Sequence, residues 1–425
     1  MKRIFWFFLL FWLGLSVQAD SPFVNVEKGQ FLRNGKPYYF VGTNFWYGPI
    51  LGSKGTGGDR KRLRKELDQL KALGINNLRI LVGPDAGSKN ANTVTPYLQP
   101  EAGVLNDTIL KGLDYLLAEM EKRKMLGVLY LTNSWDWSGG FGFYLRAVGK
   151  GDSPSASGDG YNNYVRYASQ FVKSKEAQEL YYNFVRKIVS RENSVTGKLY
   201  KNDPTIMSWQ LCNEPRPFSK EGKSAFAQWI AKSASLIKSM DSNHLVSTGS
   251  EGLYGCEVDI NLCEQIHACD AIDYITVHIW PYNWQWAAKN TLWEDLAHVY
   301  VKSGEYIDEH ARISKKIGKP FVIEEFGYPR ERFSFSPQSY TTSRDAFYAY
   351  VMRKVVESSK TGGCLAGCNF WGWGGLGRPA QETWKPGNDY LCDPPHEPQG
   401  WYSVFNSDST TIKVITDYIK ELKNQ

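Results

Sequence analysis

The sequence predicts a (β/α)8 barrel, the TIM barrel, and three observations carry that prediction. Eight short apolar runs alternate along the chain with stretches of helical periodicity, a pattern that argues for a parallel sheet with helices outside. No Gly-rich dinucleotide fingerprint or phosphate loop follows the first run, which weighs against an open doubly wound sheet. Polar and aromatic residues gather directly after the predicted strands, where a barrel carries its chemistry.

The elements follow in order. Residues 23–38 read as short strands with turns at Lys28-Gly29 and Asn34-Gly35, a small hairpin closing one end. Tyr38 to Asn44 is the first apolar run. Asp59 to Leu73 is a helix, with Leu63, Leu67, Leu70 and Leu73 at helical spacing and Gly74 as its stop. Ile75 to Val82 is the second strand. Asp107 to Lys124 is a helix with Leu110, Leu113, Leu117 and Met120 on one face, and Leu126 to Thr132 is the third strand. Asn133 to Phe171 reads as a long Gly- and aromatic-rich loop. Further strands are expected at 205–212, 244–248, 272–279, 320–325 and 364–371. Helices are expected near 175–191, 223–240, 296–317, 343–359 and 410–423, with a second long loop at 372–408.

The strand ends form a ring of candidates: Asn44 and Trp46, Arg79, Asn133 and Trp135, Asn213 and Glu214, Ser250 and Glu251, His278 and Trp280, Glu325, and Trp371. Two of these ends carry the chemistry. The uncharged run Thr205 to Cys212 stops on Asn213-Glu214-Pro215, and the run from Pro320 stops on Glu324-Glu325-Phe326-Gly327. A carboxylate at the end of a buried strand loses hydration. That favours its protonated form, which a general acid near neutral pH requires. Two such carboxylates at one rim can hydrolyse a glycoside, one protonating the leaving oxygen while the other attacks the sugar carbon.

Composition sets the bounds. The 425 residues are 42% hydrophobic and 22% charged, so a packed core is expected and long disorder is not. Aromatics reach 14%, with 15 Trp, many in apparent loops where they can stack on sugar rings or seal crevices. Met1 to Ala19 reads as a secretory leader: Lys2 and Arg3, an apolar run to Leu15, then Val17-Gln18-Ala19 as a cleavage site. The mature chain, from Asp20 to Gln425, is expected to be exported as one catalytic domain without a membrane span. Without Lys2 and Arg3 it carries 48 basic and 44 acidic residues, which is no nucleic-acid footprint. Six His show no paired metal-ligand spacing, so neither a metal nor a cofactor is expected. Cys212 reads as a buried inert thiol. The other six cysteines fall in two groups of three, with Cys256–Cys263 as the candidate local bridge.

At this point the residues resemble a known family. Gly42 to Tyr47, Asn77 to Ile80, Trp209 to Arg216, His278 to Trp280, Ile323 to Gly327 and Pro395 to Phe405 are together similar to glycoside hydrolase family 5, a retaining barrel clan, and to its β-mannanase subfamily. The resemblance implies Glu214 as acid/base and Glu325 as nucleophile, with Glu324 a structural carboxylate. It implies support from Arg79, which holds Glu325 ionised, from Asn213 on the sugar 2-hydroxyl, and from His278 beside both acids. Trp371 would be the floor under the sugar, Arg216 would reach the leaving-group side, Trp46 is a substrate-binding or support candidate, and Trp135, Trp137, Trp280, Trp284 and Trp286 are candidates for stacking. Many members carry Tyr where this chain has Trp280, which puts the nucleophile's second partner in doubt. The implied substrate is β-mannan polysaccharide or a manno-oligosaccharide, cut by a monomer. Endo action is favoured, with an exo-β-mannosidase, a cellulase and a non-catalytic glycan-binding barrel as alternatives.

Overall fold

The computed structural model describes residues 21–89, 92–334 and 336–424. The expected leader, residues 1–19, lies outside them. Three short strands come first, β1 (Asn25–Glu27), β2 (Gln30–Arg33) and β3 (Lys36–Pro37), paired antiparallel in that order. Eight parallel strands follow: β4 (Phe40–Asn44), β5 (Asn77–Leu81), β6 (Leu126–Tyr130), β7 (Ile206–Gln210), β8 (Leu245–Ser247), β9 (Ile275–Ile279), β10 (Phe321–Phe326) and β11 (Leu365–Phe370). Their hydrogen-bonded order is β8-β7-β6-β5-β4-β11-β10-β9, and a parallel bridge from Ser247 to Tyr274 closes the ring. Every residue of these eight strands is buried. That follows from a barrel filled by side chains inside and covered by helices outside.

Local signals place the outer helices. Asp59 accepts a hydrogen bond from the Arg62 amide at the start of the helix Arg60–Leu73, and Gly74 ends it with φ of 89°. Leu63, Leu67 and Leu70 bury its inner face. Asn106 caps the helix Asp107–Lys122 through the Thr108 amide, and Leu110, Leu113, Leu117 and Met120 pack inward. At the N-terminal end of the barrel, Val24 and Phe31 join Val128, Met207, Leu245, Tyr274 and Val322 in a separate apolar cluster. The small antiparallel sheet therefore plugs the barrel floor.

Two expectations need correction. The stretch 133–171 is no simple loop: it holds the helices Gly140–Ala147 and Tyr161–Ala168. Glycines 139 and 140 hide the first helix in the sequence, yet Phe141 stacks on Phe171 with ring centroids 4.0 Å apart and fixes it by packing. A further helix, Ile260–Ala268, sits between β8 and β9, capped by Asp259 on the Asn261 and Leu262 amides.

The second insertion forms a strap. Strands β12 (Trp373–Gly375) and β13 (Val404–Phe405) pair at its base. Buried Asp393 accepts from the amides of Gly400 and Tyr402, each at 2.8 Å, and from the Ser403 hydroxyl. The buried Arg330 donates to the carbonyls of Gly400 and Ser403 at 2.9 and 3.1 Å. Asp393→Ala leaves these donors unpaired and is expected to cost about 2–4 kcal/mol. A urea midpoint unchanged from the parent would refute that role.

Candidate active site

Arg79 stands at the centre of the barrel mouth. It is fully buried on β5, where its Cα pairs with Asn44 of β4. Its Nε donates to Gln210 Oε1 at 2.8 Å, and its terminal nitrogens donate to Asn44 Oδ1 at 3.1 Å, Glu325 Oε1 at 2.5 Å and Asn213 Oδ1 at 2.8 Å. Tyr130 lies under the guanidinium, 4.5 Å from its carbon. Four acceptors from the ends of three strands, β4, β7 and β10, are thus set by one cation.

A bulge in β10 brings both of its acids toward that cation. The register against β9 runs Ile323 to Val277 and then Glu325 to His278, skipping Glu324. Strict alternation would point successive residues to opposite faces; the extra residue breaks it. Glu324 accepts from Gln210 Nε2 at 2.6 Å and from the Tyr274 hydroxyl at 3.1 Å, and lies 3.6 Å from Arg79 Nε. All of its partners are core groups and it does not line the cavity described below, as a structural carboxylate should. Burial pushes the Glu324 pKa up, against the pull of Arg79 and His278. Burial also acts to raise Glu325, but His278 and Arg79 outweigh it and hold this carboxyl below the ordinary carboxylate range.

Glu214 arrives from the opposite side. Its backbone is left-handed, with φ of 48°, a conformation uncommon for a residue with a side chain. Its amide donates to the Gly249 carbonyl at 2.9 Å, and its carbonyl accepts from the Ser134 hydroxyl at 2.6 Å. The carboxylate takes Trp135 Nε1 at 2.6 Å on one oxygen and His278 Nδ1 at 2.8 Å on the other. The same His278 nitrogen lies 3.2 Å from Glu325 Oε2. Burial opposes charge on His278, yet Glu325 and Glu214 raise its pKa to about 9. One oxygen of each acid and the ring nitrogen all lie within 4.8 Å of one another. These three are also the group of donors compact enough to hold a cation among the described residues. A His⁺ already between the two acids disfavours a second cation there.

Trp280 Nε1 donates to Glu325 Oε2 at 3.2 Å. The indole therefore supplies the second partner that the sequence left in doubt. Trp371 packs edge-on against Trp280, with centroids 5.9 Å apart.

Both acids open into a cavity of about 420 Å³, lined also by Asn213, Arg216, Trp135, Trp137, Trp280, Trp284 and Trp371. Trp46 is outside that lining. It is buried, donates to the Cys392 carbonyl at 2.8 Å and packs on Trp137, so it backs the wall. Trp286 likewise packs behind Trp284 and does not line the cavity. Arg216 does reach it, through an ion pair with Glu251 at 2.5 Å.

Several lining residues escaped the reading of the sequence as site groups: Asp136, Tyr161, Asn283, His396 and Glu397, whereas Glu251 was in the expected ring of strand ends. Glu397 matters most. Burial, then Asp393, Glu214 and Glu325, push its pKa up to about 8. Its side chain keeps 26% exposure, directed into the cavity it lines. The polar pair His396-Glu397 within a Pro-rich frame was the available signal.

A family model described as "GH family 5 beta-mannosidase-like" matches residues 21–425. The chain belongs to glycoside hydrolase family 5. A putative mannan endo-1,4-β-mannosidase 9 from Oryza sativa subsp. japonica is 29% identical over 385 residues, covering 88% of this chain and 86% of that protein. Mannan endo-1,4-β-mannosidase 1 from Solanum lycopersicum is 29% identical, with 86% of each chain covered. The crystal structure of a family 5 mannosidase from Rhizomucor miehei superposes with a TM-score of 0.87 at 32% identity, covering 95% of this chain and 98% of that one. An endo-1,4-β-mannanase from the same organism shares the fold, with a TM-score of 0.69 at 24% identity over 95% of this chain and 100% of the other.

In this family 5 site the charges predict a pH dependence. His278 has a folded pKa of about 9, above its unfolded value of about 6.5. Its contribution to stability is complete below about pH 6.5 and is lost as pH rises through 9. Glu325 is depressed, so its contribution holds above about pH 4.3 and is lost on acidification through its folded pKa. Melting temperature should fall from pH 6.5 to 9.5, and His278→Gln should flatten that limb. Equal falls in parent and variant would contradict the assignment.

Proposed function

We propose that this protein is a retaining, exo-acting β-mannosidase that removes mannosyl units from the ends of manno-oligosaccharides or β-mannan. The observation that carries the exo reading is the walled cavity. Residues of both insertions, Asp136 and Trp137 from the first and Pro394, His396 and Glu397 from the second, line the same space as Glu214 and Glu325. An endo enzyme needs a groove open at both ends. The Rhizomucor miehei structure, at 32% identity, is named a family 5 mannosidase, which supports a β-mannoside as the substrate. Endo action, which the sequence favoured, stands as the second reading, because the rice and tomato relatives are named endo-acting.

The chemistry follows from the geometry. In our reading Glu325, held ionised by Arg79 and His278, attacks the anomeric carbon while Glu214 gives its proton to the leaving oxygen. The product is a glycosyl ester on Glu325. Glu214, now a carboxylate, takes a proton from water, and that water attacks the same carbon and releases Glu325. The close approach of the two acids supports retention: inverting pairs stand about 6.5–9.5 Å apart to admit water, and retaining pairs about 5–5.5 Å. Asn213 still has an amide N–H beyond its bond to Asn133 Oδ1, so it can meet a sugar hydroxyl. The chain's expected export is consistent with a polysaccharide substrate and is part of this proposal.

Three experiments test the reading. A product time course on mannohexaose and linear mannan, with carboxymethylcellulose as control, should yield mannose from the outset. A spread of oligosaccharides would favour endo action, and products from cellulose alone would overturn the substrate class. Glu325→Ala and Glu214→Ala should each lower kcat by about 10³-fold or more with the fold intact; near-parent activity would remove that residue from its role. Glu397 is assigned to the wall that the second insertion contributes, where a carboxyl neutral at pH 7 can donate to a sugar hydroxyl. Glu397→Ala should raise KM for mannobiose by roughly tenfold, and Glu397→Gln, a neutral donor, by much less. Equal effects of the two variants would argue against that contact.

A further inference from the structure

Residues 253–263 form a tight turn beside the active cavity. Glu257 and Val258 are both left-handed, with φ of 54° and 56°. A β-branched residue in that region is a true outlier, and such a residue persists only where its surroundings hold it. Val258 gains nothing from burial, being 69% exposed. Backbone bonds cross the turn, from Val258 N to Leu253 O at 2.8 Å and from Asp259 N to Cys256 O at 3.0 Å. The strained pair lies directly between Cys256 and Cys263, both fully buried, and their thiols are within hydrogen-bonding reach of each other.

We infer that Cys256 and Cys263 form a disulfide that clamps this strained turn and so fixes the segment carrying Glu251, the partner of Arg216 in the cavity. Both are thiols in the structure. The surroundings suit the chemistry. Cys263 Sγ lies 3.7 Å from His267 Nδ1. The hydrogen bond from Cys256 lowers the Cys263 thiol, and His267 and His310 lower it further against the effect of burial, whereas burial raises Cys256. Cys263 is thus the attacking sulfur. Its thiolate attacks one sulfur of a donor disulfide, of the small-molecule or protein class, and displaces the first donor sulfur. Cys256, as its thiolate, then attacks Cys263 Sγ and displaces the second. One S–S bond forms and one breaks. Two electrons pass to the donor, and the two cysteine protons end on its sulfurs. Both thiols are shielded in the folded chain, so the exchange belongs to the last stage of folding, when the helix Ile260–Ala268 has formed with His267 beside Cys263 and the turn has yet to close over the pair.

The other five cysteines differ. Cys212, Cys368 and Cys392 are fully buried in separate places, and Cys269 and Cys364 are partly exposed. The inference does not depend on the glycosidase reading, and its test reads sulfur directly. The full chain is folded in a glutathione redox buffer, unfolded in guanidinium and alkylated. Five of the seven cysteines should react before reduction and all seven after it. A glutamate-specific protease cuts after Glu257 and Glu264, which separates Cys256, Cys263 and Cys269 onto different peptides. The expected peptides are those of Cys256 and Cys263 joined, with Cys269 free. Seven reactive thiols, or a bridge from Cys256 to Cys269, would overturn the inference. A Cys256→Ser/Cys263→Ser variant should melt about 3 °C below the oxidised parent and match the reduced parent. An oxidised parent that melts with the variant would refute the clamp.

Discussion

The barrel mouth depends on one buried cation. Arg79 has no access to water, so its charge is tolerable only if carboxylates and carbonyl-type oxygens surround it. The structure supplies Glu325, Asn44, Asn213 and Gln210 in direct contact, with Glu324 slightly farther out. Asn44 comes from β4, Gln210 and Asn213 from β7 and its end, and both acids from β10, so the cation, itself on β5, fixes the relative height of four strands. The geometry of Glu325 is therefore tied to the stability of the barrel itself. Removing Arg79 would leave two buried acids uncompensated, and the damage would not be confined to chemistry.

His278 extends the same constraint to Glu214. Its Nδ1 lies between two carboxylates, and their negative charge keeps it protonated near neutrality despite full burial. A proton shared in this way lets two acids approach without both repelling as bare anions. Tryptophans finish the arrangement. Trp135 donates to the Glu214 oxygen that His278 leaves free, and Trp280 donates to the same Glu325 oxygen that faces His278, so each acid has one indole donor in addition to His278. An indole N–H donates and cannot accept, so neither tryptophan can compete for a proton.

Much of this was legible in the sequence, for reasons that particular residues make plain. Glu214 and Glu325 stood out because uncharged strand runs end on them, and a barrel gathers strand ends at one mouth. Trp46 obeys the same grammar, yet it turns behind Trp137; sequence position fixes the end of a strand but not the direction of a side chain in the loop beyond it. The bulge that turns both Glu324 and Glu325 toward Arg79 leaves no local mark, since it arises from register against β9. Glu397 and Asp136 meet in one cavity although about 260 residues separate them. Such contacts come from how two insertions fold over each other, and neither insertion shows a strong period. The helix Gly140–Ala147 was invisible for a related reason: its glycines signal a break, and aromatic packing overrides them.

The charges around the cavity bear on what it can bind. Glu325 faces Arg79 and His278, Glu324 faces Arg79, Glu214 faces His278, and Glu251 faces Arg216. Glu397 is the exception. The basic nitrogen near it, His396 Nε2 at 4.0 Å, belongs to a ring whose enclosing walls lower its pKa. Glu397 is consequently pushed toward the neutral acid by burial and by Asp393, Glu214 and Glu325. Asp136 accepts from the Ala156 amide at 2.9 Å and has no ion pair among the described residues, while the other charges cancel among themselves, so an ionic ligand would find no unpaired cation in the wall. A neutral carboxyl, an amide N–H and the faces of Trp284 and Trp371 are what remain available to a ligand. That combination suits an uncharged polyol with apolar faces, a pyranose ring, and disfavours a uronate, whose negative charge would meet five carboxyl groups.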